Sequence, residues 1–128
     1  MSHRLTLVPL PGTFAICRLA PDSPVPPWAT AGPLVSVTRT ADELSVVCPD
    51  AGVPEGVRCD RGWHAWRLAG TFDLTTAVGV LAAAADPLAA AGVGVFAVST
   101  YDTDYLLVKA ANVGRAAAAL RERGHTVG

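Results

Sequence analysis

The chain has 128 residues, enough for one ordinary domain or two very small ones. It is 51% apolar and 16% charged, which excludes disorder, and its net charge of −1 gives none of the basic footprint of a nucleic-acid binder. The Ala-rich stretch from Ala77 to Val98 is interrupted by Asp86, Pro87 and three glycines and buries too little area for a membrane span, so neither nucleic acid nor membrane is an expected partner.

In chain order, Met1-Ser2-His3-Arg4 leads straight into a strand signal with no signal-peptide core, which reads as cytoplasmic. Leu5–Leu10 and Phe14–Leu19 are short apolar runs separated by the turn dipeptide Pro11-Gly12. Five prolines between Pro21 and Pro33 exclude a strand and allow one helical turn around Pro27–Thr30. Leu34–Thr38 alternates as a half-buried strand does, Leu44–Cys48 is another strand, and Pro54 and Gly56 limit any helix in Ala51–Val57 to one turn. Cys59–Leu68 is a strand with Trp63 and Trp66 on opposite faces. Thr75–Ala91 has helical composition; Pro87 should kink it or open a new first turn capped by Asp86, and Gly92 should stop it. Val93–Ser99 and Tyr105–Lys109 are strands around the polar turn 100–104. Asn112 should cap a helix running to Arg123 and ended by Gly124, and His125-Thr126-Val127 starts a last strand.

The second half thus reads β-α-β-β-α-β, and the first half carries a shortened copy of that order. Val37-Thr38 with Glu43-Leu44 and Val46-Val47 matches Val98-Ser99 with Asp104-Tyr105 and Leu107-Val108 at an offset of 61, while Arg18-Leu19 matches Arg67-Leu68 at an offset of 49. The difference is about three helical turns, the length by which the proline-rich segment falls short of the Ala-rich helix.

This order, together with the strings Phe14–Leu19, Ser36–Thr40, Glu43–Val47, Gly62-Trp63 and Phe96–Val108, resembles a tandem ACT-domain protein. The likeness is to short bacterial ACT proteins related to aspartokinase regulatory domains and to the CASTOR arginine sensors. It implies an α+β fold of two ferredoxin-like ACT units (βαββαβ), with antiparallel sheets and helices on one face. Residues 1–62 would form a unit with a shortened first helix, and residues 63–128 the second unit. It also implies an amino-acid ligand, carried onto two segments of this sequence. Ala77, Val78, Gly79 and Val80 resemble the backbone segment that holds the ligand carboxylate, and Ser99, Thr100, Tyr101 and Asp104 resemble the turn at the other end. The Thr75-Thr76-Ala77 stretch lacks the acidic residue that the arginine sensors place near the ligand amine, which puts arginine itself in doubt.

The residues themselves allow two readings at most of these positions. Gly79 in a first helical turn lets a carboxylate approach free N–H groups, or only lets helix and sheet pack closely. Asp104 is either a turn acid or a partner for an ammonium or guanidinium, and Asp102 reads as solvated. His3, His64 and His125 read as surface or sheet-edge residues, since none has metal-ligand spacing. Cys17, Cys48 and Cys59, an odd set with no C-x-x-C pair, read as small buried hydrophobes rather than reactive thiols. Trp63 and Trp66 read as core or dimer-interface anchors, or as an aromatic cage. The function this implies is an amino-acid-binding regulatory module without catalysis, cofactor or metal, acting as a homodimer on some regulated protein. The alternatives are a ligand-free structural or partner-binding dimerisation module and a small enzyme using a cysteine or the Asp pair.

Overall fold

The computed structural model describes residues 3–73 and 78–128. Its strands are β1 (Thr6–Pro9), β2 (Phe14–Leu19), β3 (Ser36–Arg39), β4 (Leu44–Pro49), β5 (Cys59–Leu68), β6 (Phe96–Ser99), β7 (Asp104–Lys109) and β8 (Thr126–Val127). The helices are α1 (Val80–Ala90) and α2 (Val113–Glu122). No helix among the described residues is long and apolar enough to cross a membrane. The chain divides into two compact units, Pro11–Trp63 and the combination of Met1–Leu10 with His64–Gly128. The first ten residues therefore join the C-terminal unit, where the sequence had placed them with residues 1–62. Pro11-Gly12 does make a turn, with Gly12 at φ +74°, but β1 and β2 do not pair across it as a hairpin; the partners of β1 are β5 and β8.

In the Pro11–Trp63 unit the strand order is β3-β4-β2-β5, antiparallel throughout, which is the ferredoxin-like order for its own four strands. Both helices of that pattern shrink to single 3-10 turns, Pro27–Ala29 and Asp50–Gly52. Prolines offer no N–H, so the chain around them is docked by arginine donors instead: Arg39 on β3 bonds the carbonyls of Pro21 and Ser23. At the other turn Arg61 holds the carbonyls of Asp50 and Val53 at 2.8 and 2.9 Å, while the Asp50 carboxylate accepts from Thr13 and from the Gly62 N–H. A small core of Ala15, Cys17, Leu44, Val46, Cys48 and Val53 lies beneath Trp28 and Ala29.

The other unit runs β6-β7-β5-β1-β8. β1 is antiparallel to β5, with Leu7 opposite Leu68, and parallel to β8, with Leu7 opposite Val127. An extra strand thus lies between the first and last strands of the βαββαβ pattern, and it adds one parallel pairing to an otherwise antiparallel expectation. The core takes Val80, Ala84 and Leu88 from α1 and Ala116, Ala117 and Leu120 from α2. These spacings put one stripe of each helix on Leu7, Trp66, Leu68, Leu106 and Val108 of the strands.

Three local expectations need correction. First, α1 starts at Val80, with Gly79 as its N-cap at φ +81°; Ala77 and the stretch 74–76 lie outside the described residues. Second, α1 continues through Pro87 instead of restarting there, so Asp86 caps nothing. Third, Asn112 does stand at the N-cap of α2, but it also closes a 3-10 turn (Ala110–Asn112), and its side chain accepts from Arg115 at 3.4 Å rather than from the backbone of α2. Gly92 and Gly124 end the helices at φ +72° and +89° as C-terminal stops do.

His125, read as a surface or sheet-edge residue, directly precedes β8 at the end of the strand order but is buried, only 6% exposed. Its Nδ1 accepts the Leu5 N–H at 3.1 Å, which leaves Nε2 to donate to the Ala83 carbonyl at 2.9 Å. Ala83 is four residues before Pro87, so its carbonyl is the one deprived of a helical donor by that proline. The histidine supplies the missing bond, and the helix runs on.

His64 lies edge-on to Trp66, ring centroids 4.6 Å apart, with its Nε2 buried and, among the described residues, without a hydrogen-bond partner. Desolvation holds its pKa below the ordinary 6.5. As pH falls through 6.5 the unfolded chain takes up a proton that folded His64 resists, so stability should drop progressively toward the lower folded value. Urea midpoints measured at about pH 7.5 and about pH 5 should fall further for the wild type than for His64→Phe, which keeps the ring and removes the titration.

Candidate functional site

A cavity of about 360 Å³ opens beside the start of α1. Phe72 and Asp73 form one wall, Gly79–Ala82 a second, and Ser99–Asp104 of the β6–β7 turn a third. All belong to the unit containing α1. The turn is tightly specified: the Thr100 N–H bonds the Thr103 carbonyl at 2.8 Å, and the Thr103 N–H bonds Thr100 Oγ1 at 3.2 Å. Buried Thr103 donates its hydroxyl to the Leu68 carbonyl at 2.7 Å, anchoring the turn to the end of β5. The Phe72 N–H reaches the Asp102 carbonyl at 2.7 Å, which fixes the chain after β5 against the same turn.

The α1 wall is made of donors. The Ala83 N–H bonds the carbonyl of the N-cap residue Gly79 at 2.9 Å, so the N–H groups of Val80, Leu81 and Ala82 lie in the first turn, before the helical ladder. Their partial positive charge suits an anion. The turn wall is acidic: Asp102 and Asp104 line it, Asp73 also lines the cavity, and among the described residues no Lys or Arg does. Asp104 Oδ1 accepts the Ser99 hydroxyl at 2.5 Å, which orients the carboxylate. Donors on one side and carboxylates on the other match a zwitterion.

Of the sequence-derived ligand residues, Gly79, Val80, Ser99, Thr100, Tyr101 and Asp104 line this cavity. Val78 does not; it is 78% exposed, and its carbonyl contacts His3 Nε2 at 2.7 Å. Ala77 lies outside the described residues. Tyr101, 81% exposed, stands at the rim. Phe72, Asp73, Leu81, Ala82, Asp102 and Thr103 also line the cavity and were not singled out as ligand residues. Asp102 and Thr103 sit inside the very turn the sequence flagged, so taking the turn whole would have included them. Phe72 and Asp73 are placed by the long-range bond to Asp102, which leaves no local signal.

The hairpins of the two units also correct the repeat register. β3, β4 and the turn Asp50–Gly52 recur as β6, β7 and the turn Ala110–Asn112 at an offset of 60 rather than 61. Thr40 then corresponds to Thr100, and each bonds the backbone three residues on. Asp104 corresponds to Leu44, so the acid at the cavity has no counterpart in the first hairpin.

An ACT-domain model matches residues 58–122, the segment that carries the whole cavity, and a family of N-terminal domains matches residues 12–56. The chain belongs to the ACT-domain family. A protein of Agrobacterium tumefaciens is 38% identical, covering 98% of this chain and 93% of its own, with a TM-score of 0.93. An aspartate kinase of Clostridium acetobutylicum, described as an allosteric enzyme, is 12% identical over 91% of this chain and 34% of its own, with a TM-score of 0.62. The ligand-free regulatory subunit of aspartate kinase from Thermus thermophilus is 12% identical over 88% of this chain and 93% of its own, with a TM-score of 0.58. At that identity the two kinases share the ACT fold with this chain. No curated protein matches it.

Proposed function

We propose that this protein is a non-catalytic, amino-acid-binding regulatory module of the cytoplasm, built as two tandem ACT units and working as a homodimer. The observation that supports ligand binding is the polarity of the cavity, with helix N–H donors on one wall and three aspartates on the other two. The ligand carboxylate takes the N–H groups at Gly79–Ala82, and a cationic amine or guanidinium takes Asp104 with Asp73 or Asp102. The occurrence of the same fold in an aspartate kinase described as allosteric and in the regulatory subunit of another supports a regulatory role.

A thermal-shift screen of the twenty amino acids tests this reading. A ligand at a hundred times its dissociation constant should add about 2.7 kcal/mol of stability. Asp104→Asn should weaken a basic ligand by about 1.5–3 kcal/mol in calorimetry, the scale of a hydrogen bond to a charged group. Gly79 is a poor test position, because at φ +81° any side chain strains the cap whether or not a ligand binds there. No shift with any amino acid would leave the dimerisation-module reading.

Within the units β3 and β6 are edge strands among the described residues, and Val37 on β3 is 40% exposed. An open edge with exposed apolar side chains is usually covered, most simply by a second copy. Sedimentation at tens of micromolar should show twice the chain mass, and a clean monomer would count against the dimer.

A further inference from the structure

In the Pro11–Trp63 unit all three cysteines converge on one small core: Cys17 and Cys48 are buried, and Cys59 packs half-buried at its margin. Cys17 on β2 is directly opposite Cys59 on β5. The Arg18 N–H bonds the Arg58 carbonyl at 2.9 Å, so that neighbouring pair is the hydrogen-bonded one. Cys17 and Cys59 therefore form a non-hydrogen-bonded antiparallel pair, the kind whose Cα atoms come to about 4.5 Å. That is inside the Cα range of a disulfide, about 4.4–6.8 Å. Cys48 lies opposite Ala15, a diagonal neighbour of Cys17 on the same face, and its thiol also adjoins that of Cys17, but Cys48 is buried where Cys59 is partly exposed.

We propose that Cys17 and Cys59 are a reversible oxidation site, closing a cross-strand disulfide between β2 and β5 when a peroxide reaches the protein. The partly exposed Cys59 reacts first: its sulfur takes one peroxide oxygen, the O–O bond breaks, and a sulfenic acid and one water result. The Cys17 sulfur then attacks that sulfur, the S–O bond breaks, and a second water leaves with the Cys17 proton. Two thiols have lost two electrons and the peroxide has gained them. Burial, with Cys48 and Cys59 beside it, pushes the Cys17 thiol from 9.0 up to about 12, which cuts its thiolate about a thousandfold. The opposed strands hold the two sulfurs beside each other, so the second step is intramolecular and proceeds despite the small thiolate fraction. The second step is accordingly faster at higher pH.

The test treats the purified full chain with hydrogen peroxide and follows it by intact mass and non-reducing peptide mapping. The expected product is lighter by two hydrogens, carries a Cys17–Cys59 linked peptide, keeps one alkylatable thiol, melts higher than the reduced form, and returns to the starting mass with dithiothreitol. Cys48→Ala should still form the link, and Cys59→Ala, altering only a half-buried position, should abolish it. Three thiols still titratable after treatment, oxygen added at Cys59 without cross-linking, a Cys17–Cys48 link, or a dimer joined through Cys59 would each overturn the proposal.

Discussion

His125→Ala should lower the unfolding free energy by about 2–5 kcal/mol, because it strips two buried backbone groups of their partners at once. The Leu5 N–H loses its acceptor and the Ala83 carbonyl loses its donor. The carbonyl half of that effect can be isolated. Pro87→Ala restores an N–H at position 87 that can serve Ala83 in the ordinary helical way. His125→Ala should then cost about 1–3 kcal/mol less in the Pro87→Ala background than in the wild type. Urea unfolding of the four proteins measures this, and an equal cost in both backgrounds would mean that His125 does not carry the helix past its proline.

Trp66→Ala should cost about 3–5 kcal/mol, a large part of the roughly 5–15 kcal/mol that holds a domain of this size together. Trp66 is fully buried at the centre of the larger core, and its Nε1–H donates to the Gly128 carbonyl at 3.3 Å. The substitution therefore opens a large cavity and frees the chain end that pairs beside β1. Trp63→Ala, at a half-buried position, should cost distinctly less. Equal losses at the two tryptophans in denaturant unfolding would contradict this division.

Much of the fold was legible because it is written in local chemistry. Periodicity located β2, β4 and β5 closely, prolines announced the stunted turn at Pro27–Ala29, and glycines marked the helix ends. What escaped was non-local. Pro11-Gly12 looks like the centre of a hairpin, and nothing in residues 5–10 says that their partners lie near residues 66 and 126. Pro87 looks like a break because its remedy, His125, is far away in the chain. The hydroxyl-and-acid frame of the repeats aligned one residue out, since Glu43 and Asp104 attract the eye while the geometry equates Thr40 with Thr100. Around the cavity, the helix start and the polar turn were readable as segments. The approach of Phe72 and Asp73 depends on the hydrogen bond from Phe72 to Asp102, which only the folded chain makes.

The position of β1 also dictates an order of events during synthesis. A ribosome delivers the N-terminus first. Pro11–Trp63 has all of its strands once Trp63 has emerged, and it can close on its own contacts. β1, made before any of them, must wait for the last part of β5 to gain one neighbour and for Thr126–Val127 to gain the other. Until β5, α1, β7 and α2 have emerged, Leu5 and Leu7 have no complete core to enter, so a nascent chain stalled before α2 should expose them to chaperones or proteases. Closing so long a loop adds little further entropic cost, since each doubling of length costs only about 0.6 kcal/mol; the penalty is mainly one of time. β8 closes over a strand translated long before it.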